Sequence, residues 1–246
     1  MSARLKLTVA YDGTAFAGWQ SQTHRNTVQD ELERGLHKIS GHRVRVHGAG
    51  RTDAGVHAIA QCAHVDLPER KLSSAAWRNA LNGVLPPTIR ILTSRYVPPD
   101  FHARFSAQGK TYCYRIWIGA VMPPLELDRA WHVPSIDVDL LTVAGRKFVG
   151  THDFAGFAAN RGKKEDNTIR TIRSLQIRKR GSAVTIEITG DGFLYKMVRL
   201  MVGTMVRVAL RKTDLSEIDI RLKNARLGAA RFTAPAAGLY LLKVWY

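Results

Sequence analysis

The chain has 246 residues, 45% hydrophobic and 23% charged, with 37 Lys+Arg against 20 Asp+Glu and a formal net charge of +17. That length allows one large domain or two of about 100–150 residues, while the absence of an 18-residue apolar run, of a signal-like leader and of more than two cysteines (Cys62 and Cys113) excludes a helical membrane span and a disulfide scaffold and points to a reduced, cytoplasmic protein. So large a positive excess calls for a polyanion, and without a basic amphipathic helix of the membrane-surface kind that polyanion is nucleic acid.

Leu5, Leu7, Val9 and Tyr11 alternate with Lys6, Thr8 and Ala10, the period of a half-buried strand, and Asp12-Gly13 ends it in a turn. Thr27-Val-Gln-Asp30 opens a helix in the manner of a capping box, with Val28, Leu32, Leu36 and Ile39 as its apolar stripe. Strands are expected near 43–48 and 57–66, a short helix near Ser74–Asn82 and a strand near Thr88–Val97, before Pro98-Pro99-Asp100 marks a boundary. The order then recurs. Tyr112, Tyr114, Ile116 and Ile118 share a strand face; a helix is expected over Asp137–Phe148 and a strand pair over Ile169–Arg180 and Ser182–Thr189. Met197, Leu200, Met201, Thr204, Met205 and Val208 recur at helical spacing; a short helix near Leu215–Arg226 and a strand over Gly238–Tyr246 close the chain. Two β-α-β-β-α-β runs imply an α+β protein of two ferredoxin-like halves, residues 1–102 and 103–246, with antiparallel sheets joined into one.

Gly48-Ala-Gly-Arg-Thr-Asp-Ala-Gly-Val-His-Ala58 sets one carboxylate, Asp53, two residues from a guanidinium, Arg51, inside a glycine-rich turn. Gly48, Gly50 and Gly55 allow positive φ and close approach of another chain. A dinucleotide fingerprint fails because its third glycine would have to replace Asp53, and a P-loop fails because no Gly-Lys-Ser/Thr follows. An acid in so cationic a chain suits a nucleophile or base acting on a nucleotide. Arg161–Arg180 holds eight Lys/Arg against two acids, a density suited to phosphate contacts. The nine histidines are scattered, and His57 and His64 are expected to pack or bond backbone rather than bind zinc; no metal site is expected.

Gly50-Arg-Thr-Asp-Ala-Gly-Val-His57 resembles the signature of the bacterial tRNA pseudouridine synthase A family. So, in the family's order, do Tyr11–Gln20, Asp100–Ala107, Lys110–Tyr114, Thr151–Phe154, Asn167–Ile172, Phe193–Arg199 and Thr233–Leu241, together spanning nearly the whole chain. The resemblance implies two related α/β halves, a homodimer, tRNA as partner, and isomerisation of uridine to pseudouridine at positions 38, 39 and 40 of the anticodon stem-loop, a reaction that adds and removes nothing and so needs no cofactor. It implies Asp53 as the catalytic residue, either attacking covalently or removing a ribose proton, and Arg199 as the basic residue that pairs with it. An arginine can hold a carboxylate in two parallel bonds and keeps its charge at any working pH. Tyr112 takes the place of the tyrosine that stacks on the uracil. Arg51 either steadies the phosphate beside the extruded nucleotide or fills the space it leaves. Arg161, Lys163, Lys164 and Arg170 are expected to grip the tRNA away from the chemistry. Lys110-Thr111 stands where relatives often carry two arginines, which weakens the phosphate contact expected there.

Two other functions compete. A non-catalytic RNA-binding protein of two ferredoxin-like modules would explain charge and architecture, but the Lys/Arg-Gly-Phe/Tyr-Gly/Ala-Phe motif is missing and Asp53 would go unused. A base-excising glycosylase would use an Asp and base flipping but release free uracil.

Overall fold

A computed structural model describes residues 3–23, 26–160, 167–228 and 232–246. The protein is mixed α/β with mostly antiparallel pairing. It divides into two compact units, Met1–Gln108 with Tyr240–Tyr246, and Gly109–Leu239.

In the first unit, β1 (Ala3–Tyr11) buries Leu5, Leu7 and Val9 completely and leaves the residues between them half-exposed. It pairs antiparallel with β3 (His57–Leu67) and β4 (Ile89–Val97). The short β2 (Val46–Gly48) adds antiparallel to β3, and β10 (Leu239–Trp245) runs parallel to β3 where Tyr240 meets His57. Directly paired residues share a face, so Leu5, Leu7, Val65 and Ala63 lie on one side of the sheet and Lys6, His47 and His64 on the other. Helix α1 (Val28–Ser40) starts where Thr27 accepts from the amide of Asp30 and stops at Gly41, whose φ of 78° ends the helix in the left-handed region. Val28, Leu32 and Leu36 are its fully buried stripe. Helix α2 (Ser74–Val84) is capped by Ser73 and buries Trp77 and Leu81.

The second unit has the strand order β5-β9-β8-β7 (Gly109–Trp117, Ala183–Gly190, Ile169–Arg180, Gly150–Asp153), antiparallel throughout, with β6 (Trp131–His132) parallel to β5. Strands β6 and β7 were not expected: two and four residues are too few to show a period. Asp137 caps α3 (Val138–Arg146), and α4 (Met197–Ala209) buries every residue that the helical spacing picked out. Helix α5 is Ser216–Lys223. Gly145 lets α3 approach its neighbours, since a Cβ there would come within 2.6 Å of Leu175 Cδ2 and 3.1 Å of Met205 Cε.

Candidate active site

The loop between β2 and β3 carries Arg51 and Asp53, and it is interlocked with the segment following β1. Trp19 N donates to Thr52 O at 3.1 Å and Gly55 N to Phe16 O at 3.3 Å. Two glycines outside the motif make that approach possible. Gly18, at φ 95°, would place a Cβ 2.5 Å from Thr52 O, and a Cβ on Gly13 would overlap the carbonyl of Val56. Within the motif the three glycines do different things. Gly55 has φ 75° and needs the missing Cβ for its own conformation. Gly48 does not have positive φ; its role is to seat the indole of Trp19, which a Cβ would strike. Gly50 also lacks positive φ, and its carbonyl accepts from Gln61 Nε2 at 2.8 Å.

Buried polar groups hold the loop from below. Tyr11 Oη and Thr52 Oγ1 are 2.8 Å apart, and both residues are buried. Burial pushes the Tyr11 phenol well above its usual range, so it acts as a neutral hydroxyl. Thr52 points inward while Arg51 is exposed and Asp53 half-buried, as alternating directions along a short extended segment require. Asp53 O accepts from Val56 N at 3.1 Å, closing the turn.

Arg51 is held by a chain of side chains that begins on α1. Its Nε donates to Gln20 Oε1 at 3.2 Å, Gln20 Nε2 donates to Gln29 Oε1 at 2.7 Å, and Gln29 Nε2 donates to Glu33 Oε1 at 2.8 Å. Glu33 Oε1 also accepts from Val46 N at the start of β2. Gln29 is only 1% exposed, which an amide tolerates because both of its ends are paired. Sequence reasoning missed the roles of Gln20, Gln29 and Gln61; Gln29 stands inside the Thr27–Asp30 capping signal, which says nothing of where its amide points, and Gln61 lies in a strand with nothing but burial to mark it.

The second unit carries the other expected residues. Tyr112 is buried on β5, opposite Ile188 of β9, with the Phe193 ring edge-on at 5.0 Å. Arg199, in the first turn of α4, is half-buried and does not simply extend into solvent. Its Nε donates to Ala234 O at 2.7 Å, and Ala234 N donates back to Arg199 O at 3.0 Å. Tyr114 Oη donates to Pro235 O at 2.8 Å, which ties the same segment to β5. Arg170 lies on β8 with Nη1 on the carbonyls of Asn167 and Ile169. Arg161, Lys163 and Lys164 lie outside the described residues.

His57 and His64 bond backbone: Gly13 N donates to His57 Nδ1 at 3.0 Å and Ala103 N to His64 Nδ1 at 3.1 Å. Among the described residues no group of three His, Cys, Asp or Glu side chains could hold a metal ion, and no helix is long and apolar enough to cross a membrane.

A family model described as tRNA pseudouridine synthase matches residues 7–106 and 144–246. Those spans include Arg51, Asp53 and Arg199 and leave out Tyr112. The tRNA pseudouridine synthase A of Akkermansia muciniphila is 48% identical, covering 99% of this chain and 95% of that protein. That of Methylacidiphilum infernorum is 45% identical, covering 98% and 94%, and that of Geobacillus kaustophilus 41%, covering 100% and 95%.

Proposed function

Because the chain belongs to the tRNA pseudouridine synthase family, a family of isomerases, we propose that it converts uridine to pseudouridine at positions 38, 39 and 40 of the tRNA anticodon stem-loop, with Asp53 as the catalytic carboxylate. The reaction breaks the bond from ribose C1′ to N1 of uracil and makes one from C1′ to C5; a proton leaves C5 and one is gained at N1. Atoms balance, so no redox partner or energy donor enters.

The observation that supports this reading best is the held loop. Thr52 is locked inward by Tyr11, the backbone on either side is pinned by Trp19 and Phe16, and Asp53 stands half-buried between them. A reacting carboxylate gains from such fixation, because a group already in position pays little orientational entropy at the transition state. Both kinds of step open to Asp53, attack or proton removal, need its ionised form. Arg51, bonded to Gln20, is assigned either to the phosphate beside the everted nucleotide or to the gap that nucleotide leaves. A target uridine in or beside a stem must leave the stack at a cost of a few kcal/mol, which cationic contacts to the backbone offset. Tyr112 is assigned as the stacking surface for the uracil and Arg199 as a fixed positive charge for the reaction. Arg161, Lys163, Lys164 and Arg170 are assigned to the tRNA backbone, and the protein to a homodimer.

We also read the units as ferredoxin-like. In the first, β1-α1-β2-β3-α2-β4 folds with the sheet order β4-β1-β3-β2. In the second, β5-α3-β8-β9-α4 follows the same alternation once the short β6 and β7 are set aside.

The test is to incubate the protein, without cofactors, with an unmodified tRNA transcript and map pseudouridine, then repeat with Asp53→Asn. Wild type is expected to form pseudouridine without releasing uracil, and the variant to lose turnover while retaining tRNA affinity. Normal turnover by the variant removes Asp53 from the chemistry; free uracil indicates a glycosylase, and binding without modification a passive RNA-binding protein.

A further inference from the structure

Phe105 is the most exposed aromatic residue among the large hydrophobic residues of the described chain, at 77%. A phenyl ring so exposed is costly to hydrate, and this one is not loosely held. His102 Nδ1 accepts from both Arg104 N (3.1 Å) and Phe105 N (3.3 Å), and Ser106 closes the turn, donating its amide to His102 O and accepting His102 N on Oγ, each at 2.9 Å. The Phe105 ring lies 4.4 Å from that of His102, inclined by 33°. His102 in turn meets His64 edge-on, at 4.6 Å and 66°, and His64 is stacked on His47 at 5.0 Å. His64 is 1% exposed and fixed by the amide of Ala103. The result is a column of rings, rooted in β2 and β3, whose outer end is Phe105.

The surroundings match aromatic to cation repeatedly. The Arg104 guanidinium lies 5.7 Å from the Phe105 ring centre. Lys6 Nζ sits 3.9 Å from the ring centre of Tyr246 and 4.8 Å from that of Phe101, and Lys243 Nζ 3.6 Å from that of Trp245. Tyr246 donates its hydroxyl to Ala103 O at 2.7 Å, which ties the end of the chain to the Phe105 turn. Trp245 and Tyr246 are 40% and 38% exposed. The nearby carboxylate of Asp66 is held by Arg4 through two bonds of 2.7 Å, so it is already neutralised and opposes an anion less.

We propose that Phe105, backed by His102 and flanked by Arg104, is a stacking platform for an unpaired base of the bound RNA, a nucleobase site distinct from the loop that carries Asp53. Proteins that hold unpaired nucleotides combine cations for the backbone with aromatic faces for the bases, and every base offers a π face. A column fixed before binding also loses little side-chain freedom when the base arrives. This inference rests on the tRNA-modifying reading above.

The test compares wild type with Phe105→Ala, Phe105→Leu and Phe105→Trp in the full chain, measuring affinity for unmodified tRNA, steady-state kinetics and sedimentation. Losing the ring is expected to weaken binding roughly 5- to 150-fold, the equivalent of about 1–3 kcal/mol of stacking. The loss should fall on Kd and KM rather than kcat. Trp should restore binding, and Leu, apolar but without a π face, should not. If wild type binds tRNA and the Ala variant binds as tightly, the platform alone is overturned; if Leu restores binding, stacking is overturned. A change in sedimentation with Phe105→Ala would reassign the ring to a contact between copies of the chain. If wild type itself neither binds nor modifies tRNA, the functional reading falls first and the platform with it.

Discussion

His64 shows how one residue can be both ring and strut. Its Nδ1 must remain an acceptor for Ala103 N, while Arg4, His47 and His102 surround a side chain that is almost wholly buried. Burial first, and then the positive potential of those neighbours, lowers its pKa from 6.5 to about 4, against a smaller opposing effect of Asp66. The sign follows from linkage. Above pH 6.5 His64 is neutral in both states and its packing counts in full; as pH falls from 6.5 towards 4 the unfolded chain takes up a proton that the native state refuses, so stability declines through that window. Urea midpoints of wild type and His64→Asn at pH 7.5 and 4.5 check this. The variant, whose amide oxygen can still accept from Ala103, should lose less stability between the two pH values. Equal losses would show that the proton is taken up elsewhere. At this scale the sequence is legible where chemistry needs an uncommon combination, as with Asp53 and Arg51 among glycines. It is silent on Gln29 and Gln61, whose partners come from other segments: an amide has no pattern of its own, and only the fold decides which carbonyl it meets. Phe105 was visible only as part of a family segment, because exposure of a single aromatic cannot be read from spacing.

Among the elements, α1 links the core to the Arg51 chain. Its inner face is the Val28, Leu32 and Leu36 stripe, and Gln29 and Glu33 along one side support Gln20 and the start of β2. Thr27 is fully buried, accepts from Asp30 N at 3.3 Å and donates to Asp30 Oδ2 at 2.5 Å. Thr27→Ala removes the cap and strands both groups, so it should cost about 1–2 kcal/mol. Denaturant titration measures that cost, and it should appear as a lower midpoint with unchanged slope. A cost near zero would mean that packing alone sets the start of α1. Thr27, the α1 stripe and the α4 spacing were all readable because helix signals are local, running over three or four residues. The placement of β10 beside His57 depends on a contact between segments far apart in the chain and left no comparable trace.

For the molecule as a whole, the +17 charge and the ring platform make separable predictions. Binding that releases counterions from phosphates weakens linearly in log K against log salt, with a slope of about −0.7 to −0.9 per phosphate neutralised. Stacking of a base on Phe105 releases no counterions. In tRNA binding measured from low to moderate salt, Phe105→Ala should therefore shift the line down without changing its slope. Arg170→Gln, which removes one of the cations assigned to the RNA backbone, should make the slope shallower by about one contact. Asp53→Asn should leave the slope unchanged or slightly steeper, because it removes a negative charge rather than a phosphate contact. Parallel lines for all three variants would mean that Arg170 does not touch phosphate. A shallower slope for Phe105→Ala would mean that its effect is transmitted through Arg104, and the flanking cation rather than the ring would then be the contact.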